Sequence, residues 1–143
     1  MPVITFNADS TTLVLNGSAI TDFADGDILT LAPVNPITSH INGAGGAVSI
    51  SKRSDGAVHD LTVRVLQASD SDIFLNNAQE QNAIVVFNGS IKENFVKQGS
   101  DGVDSYILEN GSFNDRPTAT KNNLDGGKIL EYKIRFRTVS RSI

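Results

Sequence analysis

A few groups of residues in this chain have types and spacing that could do chemistry. Gly43-Ala44-Gly45-Gly46 is a glycine-rich run of the kind whose backbone N–H groups cradle phosphate. It lacks the following Lys-Ser/Thr of a P-loop and the third-glycine spacing of a dinucleotide turn. No helix begins behind it to aim an N-terminus at an anion. The run therefore reads as a tight or flexible loop that lets backbone pass close to another surface. His40 and His59 have no H-x-x-E/H companion, and cysteine is absent, so no zinc ligand set, thiolate site or disulfide is expected. Asp25-Gly26-Asp27 and Asp70-Ser71-Asp72 begin like calcium loops but do not continue into D-x-[DN]-x-[DN]-G, and read as a turn and a helix start. There is no G-x-S-x-G elbow. With no Trp and only Tyr106 and Tyr132, the aromatic platform that accompanies paired carboxylates in sugar cleavage is missing. The expectation is a structural protein with no catalytic residues, no cofactor and no metal.

Asn16-Gly17-Ser18, Asn88-Gly89-Ser90 and Asn110-Gly111-Ser112 each fit the N-glycosylation rule. No Lys or Arg precedes the first of them and the opening residues alternate polar with apolar, so no export signal is expected and the three triplets read as hairpin turns. No apolar run approaches the roughly 18 residues of a transmembrane helix, so a soluble chain without membrane contact is expected. The chain holds 16 acidic and 12 basic residues, net −4. Residues 128–143 sum to +4 and residues 1–127 to −8. An acidic body with a basic last strand is poor at holding nucleic acid through counterion release, yet it can complement itself between copies.

The elements that would carry these residues are mostly strands. At 143 residues the chain reads as one domain, residues 1–143. Short alternating apolar runs separated by turn residues indicate antiparallel β-structure. Residues 1–32 read as a meander turning at Asn16-Gly17 and at Ala24-Asp27. "AVSISKRSDGAVHDLTVRVL" reads as a long hairpin with its tip at Ser54-Asp55-Gly56, Val48 and Ile50 being answered by Leu61, Val63 and Val65. One helix is expected at about residues 70–81, capped by Ser69, with Asp72 answering as in a capping box. Two further hairpins turn at Asn88-Gly89-Ser90 and Asn110-Gly111-Ser112. In the last strand Tyr132, Ile134 and Phe136 occupy a buried face, and Glu131, Lys133, Arg135 and Arg137 a charged one. The fold expected is mainly β, a two-sheet antiparallel sandwich or barrel with one short flanking helix. Two irregular segments, about 34–46 and 110–127, run near or past the ~12–15 residues at which structureless loops become uncommon, and are either mobile or ordered by something else. The strand edges invite pairing with another chain.

Taken in order, "FNADSTTLVLNGSAITDFADGDILTLA", the Gly-x-x-Gly of "NGAGG", the hairpin and helix "SKRSDGAVHDLTVRVLQASDSDIFLNNAQ", "VVFNGSI" and "SFNDRP" resemble the tail tube proteins of contractile-tailed bacteriophages. The likeness spans nearly the whole chain and rests on order more than on any single motif. It implies a structural virion protein that polymerises as stacked hexameric rings into the inner tail tube, the conduit for DNA ejection within a contractile sheath. The implied partners are further copies of the chain, the tail sheath protein, baseplate and tail terminator proteins, the tape measure protein, and phage DNA passing through without specific contact. The implied location is the virion tail, assembled in the host bacterial cytoplasm.

Contacts between rings or subunits are expected at Gly43, Gly45, Gly46, Lys52, Arg53, Asp55 and Gly56, and along Lys133, Arg135 and Arg137. Asp22, Asp25 and Asp27 are expected at the lumen or its rim, where negative charge would keep DNA from sticking. The other readings are a capsid decoration protein, a receptor- or carbohydrate-binding β-sandwich, and the tube of a bacteriocin or secretion-type contractile particle.

Overall fold

The computed structural model describes residues 2–119 and 128–143. It is mainly β, with one short helix and antiparallel pairing throughout, as expected from the alternation. The strands are β1 (Ile4–Leu15), β2 (Ser18–Ile20), β3 (Leu29–Pro33), β4 (Thr38–Asn42), β5 (Val48–Lys52), β6 (His59–Leu66), β7 (Phe87–Lys97), β8 (Ser100–Asp115) and β9 (Ile129–Ser142); the helix α1 spans Asp70–Gln79.

Seven strands form one sheet in the order β2-β1-β7-β8-β9-β6-β3, while β4 and β5 pair only with each other. The two layers of the expected sandwich or barrel are the two ends of this one sheet. Directly after β2, Phe23 bridges Val65 of β6. Alongside, the Ala24 N–H donates to the Arg64 carbonyl at 3.0 Å and the Leu66 N–H to the Asp22 carbonyl at 2.9 Å. The chain thus carries one end of the sheet onto the other. Closure gathers Leu13 and Leu15 of β1, Phe87 and Ile91 of β7, Leu108 of β8, Ile134 and Phe136 of β9, and Leu61, Val63 and Val65 of β6 into a single core. Removing this much apolar surface from water is the main stabilising contribution, at about 25 cal/mol for each Å².

α1 covers one mouth of the barrel. Ser69 caps it as expected, its Oγ accepting the Asp72 N–H at 3.2 Å. The reciprocal half differs: the Asp72 carboxylate accepts the Ala68 N–H at 2.8 Å and the Tyr132 hydroxyl at 2.6 Å. Asp72 therefore ties the helix to the barrel wall. Leu75 adds a fully buried side chain beneath it. Ala68 takes a positive φ of 67° to turn β6 into the helix.

Two of the three expected Asn-Gly turns need correction. Only Asn16-Gly17 is a two-residue loop, with φ of 50° and 80° between the paired Leu15 and Ser18. Asn88-Gly89 and Asn110-Gly111 lie inside β7 and β8 at irregularities of register. The turn joining these strands is Gln98-Gly99, with φ of 51° and 79°. What the repeated triplets do is stack. The Asn16 amide donates to the Val86 carbonyl at 3.0 Å and its Oδ1 accepts the Asn88 N–H at 2.9 Å; Asn88 Oδ1 in turn accepts the Asn110 N–H at 3.0 Å. The asparagines satisfy backbone groups that bulged strands leave without ladder partners. The glycines beside them sit where side chains cannot: a Cβ on Gly89 would lie 2.0 Å from the Val14 carbonyl oxygen, and one on Gly111 would lie 2.4 Å from the Phe136 ring.

The irregular segments are also shorter than expected. Residues 38–42 are strand β4, and 110–115 are the end of β8. Residues 120–127 of the second segment lie outside the described residues.

Candidate assembly surfaces

The long hairpin expected from β5 to β6 does not form. β5 turns back on β4, with His40 opposite Ile50 and Asn42 opposite Val48, while β6 pairs with β3 and β9. The β4–β5 pair is a separate arm. Its turn is a short 3-10 segment at Ala44–Gly46, where Gly45 and Gly46 have φ of 74° and 86° and the Gly43 N–H donates to the Ala47 carbonyl at 2.7 Å. Gly43, Gly45 and Gly46 are therefore the arm's tip, and the last two adopt a left-handed backbone that favours glycine.

Lys52, Arg53, Asp55 and Gly56 form the arm's base, not a tip. Arg53 grips Asp55 through two bonds of 2.9 Å. Hydrogen bonding from the guanidinium holds the Asp55 carboxyl below its usual range. The Arg53 N–H donates to the Ile37 carbonyl at 2.8 Å, and a Cβ on Gly56 would stand 3.1 Å from Ile37 Cα. The base is thus built by close backbone approach, and the arm projects from it.

Every residue of β5 is exposed, and so is all of β4 except the half-buried Ser39. Ile37, Ile41, Val48 and Ile50 keep 57–67% of their surface in water. Paired residues share a face in an antiparallel ladder, so Val48 and Ile50 lie on one side of the arm and Ile37 and Ile41 on the other. The alternation read in the sequence as one strand of a long hairpin is real, but the barrel does not cover it.

A second projection was not foreseen. Pairing of β8 with β9 ends at Ser105 opposite Ser142, and β2 pairs with β1 only at 13–15. Beyond these points Ile4–Phe6, Phe95–Lys97 and Ser100–Gly102 continue as a three-stranded ribbon. Phe6, Phe95 and Gly102 lie side by side on one face. The two rings are 6.1 Å apart, and the Phe95 ring lies so close over Gly102 that a Cβ there would be 2.4 Å away. Val3, Ile4 and Phe6 remain 51–65% exposed. The available sequence signal was "VITF", an apolar run followed by polar residues.

Where the ribbon meets the barrel, charged and polar side chains line the mouth away from α1. Arg141 holds Asp104 through bonds of 2.9 and 2.8 Å and lies 5.8 Å from the centre of the Tyr106 ring. Thr11 donates to Glu93 at 3.2 Å. Arg141 depresses the Asp104 carboxyl, hydrogen bonding contributing most.

Asp22, Asp25 and Asp27 are exposed on the segment that closes the barrel. Arg64 donates to the backbone carbonyls of Asp25 and Asp27 at 3.3 and 3.2 Å, not to their carboxylates. The structure brings these acids together with one another, but not with the arm. Lys133, Arg135 and Arg137 project from the outer face of β9. Arg135 is held within its own chain by Asp60, at 2.7 and 3.0 Å, and that pairing pulls the Asp60 carboxyl down. His59 is hydrogen-bonded within its own chain, its Nδ1–H donating to the Ala57 carbonyl at 2.9 Å. The surface concavities are shallow, about 250–440 Å³.

Neither a family model nor a curated protein sequence matches the chain. Solved structures do match. A chain of the anti-feeding prophage cap, the AFP tube terminating cap, superposes with a TM-score of 0.68 at 9% identity, over 96% of this chain and 91% of that one. A chain of the PVC sheath/tube terminator, from an extracellular contractile injection system in its extended state, gives 0.68 at 8% identity over 97% of each chain. A chain of the PVC sheath-tube complex gives 0.67 at 8% identity, over 96% of this chain and 91% of that one. The fold is therefore tail tube-like, shared along nearly its whole length with chains of contractile injection systems.

Proposed function

We propose that the chain is a structural subunit of a tube in a contractile tail or tail-like injection particle, polymerising as stacked hexameric rings. The observation that carries this reading is the arm. A two-stranded hairpin with apolar side chains on both faces is marginal in water, and this one lies outside its own barrel's core. Such an element gains its stability from a neighbour. The ribbon's unpaired edges add backbone N–H and C=O groups that a second copy can satisfy by strand addition.

In this reading Gly43, Gly45 and Gly46 at the arm's tip, and Lys52, Arg53, Asp55 and Gly56 at its base, make contacts between rings or between subunits. Lys133 and Arg137 face a neighbour or the sheath, whereas Arg135 is already neutralised by Asp60. The exposed carboxylates of Asp22, Asp25 and Asp27, the first of which accepts the Thr21 hydroxyl at 3.4 Å, belong at a lumen or rim, where they would repel the phosphates of transiting DNA. Sheath, baseplate, terminator and tape measure proteins are the partners of such a tube, the tail is its place in the particle, and its role is assembly, not catalysis.

Purified protein imaged in negative stain at high concentration, alone and with tail-initiating components, is expected to show rings or hollow tubes. A species that stays monomeric under all these conditions overturns the reading. A terminator is the second reading, favoured by the likeness to cap and terminator structures. A terminator binds the end of a preformed tube without growing one, so the same images separate the two.

A further inference from the structure

The arm and the ribbon leave the same end of the barrel. Along β9, Leu66 of β6 lies opposite Ile129 and His59 opposite Phe136, while Ser105 of β8 lies opposite Ser142. The helix lies toward the Ile129 end, against Tyr132. Both projections therefore point away from it. They are also complementary. Residues 35–52 contain no carboxylate and carry Lys52 and His40. The ribbon and the strands leading into it, residues 4–12 and 93–104, hold Asp9, Glu93, Asp101 and Asp104 against Lys97 alone. Asp104 is committed to Arg141; Lys97, opposite Ile4, shares the Phe6 face and Asp101, opposite Val96, lies on the other, so the remaining acids act through the field of the ribbon as a whole.

We propose that the arm of one copy docks on the Phe6–Phe95 face of the ribbon in a second copy, burying Val48 and Ile50 against Ile4 and Phe6. This deepens the tube reading and rests on it. Apolar patches of this kind are seldom left open on a monomer. On the arm, Asn42 and His40 stand opposite Val48 and Ile50 and complete the same face. Arm and ribbon are different surfaces, so between copies standing side by side in one orientation the contact is heterologous. A side-by-side heterologous contact closes into a ring when its rotation divides a full turn. The arm's shaft then serves the ring, and its glycine tip extends past it toward the next layer.

The absence of cysteine makes a direct test available. Ile50→Cys and Phe6→Cys each add a single thiol. Assembled from an equal mixture of the two variants and oxidised, the protein is expected to give a cross-linked dimer on a non-reducing denaturing gel, and neither variant alone is expected to do so. No cross-link from a mixture that electron microscopy shows to be assembled overturns this contact and leaves the tube reading standing. A dimer from either variant alone means arm meets arm or ribbon meets ribbon, which also overturns it. Failure of the unmodified chain to assemble overturns the tube reading and this contact with it. As a second measurement, Phe6→Asp is expected to raise the concentration needed for assembly by at least tenfold, about 1.4 kcal/mol, while circular dichroism stays that of the unmodified chain. Assembly at an unchanged concentration counts against the contact.

Discussion

The barrel and the arm use the same residue types in opposite ways. Leu61, Val63 and Val65 alternate along β6 and are fully buried. Val48 and Ile50 alternate along β5 and are exposed. The local pattern is the same; the difference lies in what covers it. β6 is paired on both sides, by β3 and β9, beneath a closed sheet, whereas β5 has, among the described residues, one partner and no layer above or below. Apolar alternation thus marks a strand that will be covered, without saying whether by its own chain or by another.

That comparison can be broken at several points. The largest effect is expected in the barrel: Leu61→Ala should cost about 2–5 kcal/mol, since the side chain is fully buried and closure leaves little room to collapse. Chemical denaturation of the monomer measures it. A loss below about 1 kcal/mol would mean that the barrel is no better packed than the arm.

Next comes the latch between α1 and the barrel. Tyr132→Phe removes the hydroxyl that donates to the buried Asp72 carboxylate, at an expected cost of about 1–3 kcal/mol. Burial, with Asp72 beside it, pushes the Tyr132 hydroxyl well above its ordinary range. Its folded pKa is raised, so its contribution is fully present below about pH 10, the unfolded value, and is lost as pH rises further. Stability of the unmodified chain should therefore fall above pH 10, and the gap to Tyr132→Phe should narrow. A gap independent of pH there removes the latch from the account.

Acid should act on a third set of contacts. Asp60 and Asp104 have depressed folded pKa values, so they stabilise fully above about pH 4, and that contribution is lost as pH falls through the lower folded value. Unfolding midpoints measured from pH 6 to pH 2 should drop, with the drop reduced in Asp104→Asn. The smallest effect on the monomer is expected in the arm: Ile50→Ser should change its stability by no more than about 0.5 kcal/mol. A destabilisation comparable to that of Leu61→Ala would show that the arm packs on its own barrel, and would dissolve the contrast.

Much of this architecture was legible in the order of residues. The buried and charged faces of β9, the helix with its Ser69 cap and the β-rich class all follow from side-chain period and capping chemistry, which act over a few residues. The turn at Asn16-Gly17 was legible for the same reason. The other two Asn-Gly pairs were not, because the motif reports a local tolerance for positive φ and not a chain reversal. Asn110 does have positive φ, at 56°, yet it sits within a continuous strand. Whether such a residue makes a turn or a bulge depends on which strand lies beside it.

The candidate assembly surfaces show the same division. Glycine at 43–46 announced an unusual backbone, and that segment is the arm's tip. Lys52 to Gly56 read as a tip because Ser-Asp-Gly is turn chemistry, but the Arg53–Asp55 pair and the approach of Gly56 to Ile37 make it a base. The ribbon went unseen, since its character comes from β9 and β2 stopping short of it.

Period, capping and turn propensity are properties of neighbouring residues, and through them the chain's order settled that it would be an antiparallel β protein with one capped helix and a half-buried last strand. Pairing between whole strands is a different matter, whether the partners are 6–14 positions apart, as in β4 and β5, or 42, as in Phe23 and Val65. It settled that β5 would leave β6 for β4, that the sheet would close through Phe23, and that two apolar projections would share one end. Those outcomes turn on which distant partners exclude water best, a competition among whole strands that no short stretch of sequence contains.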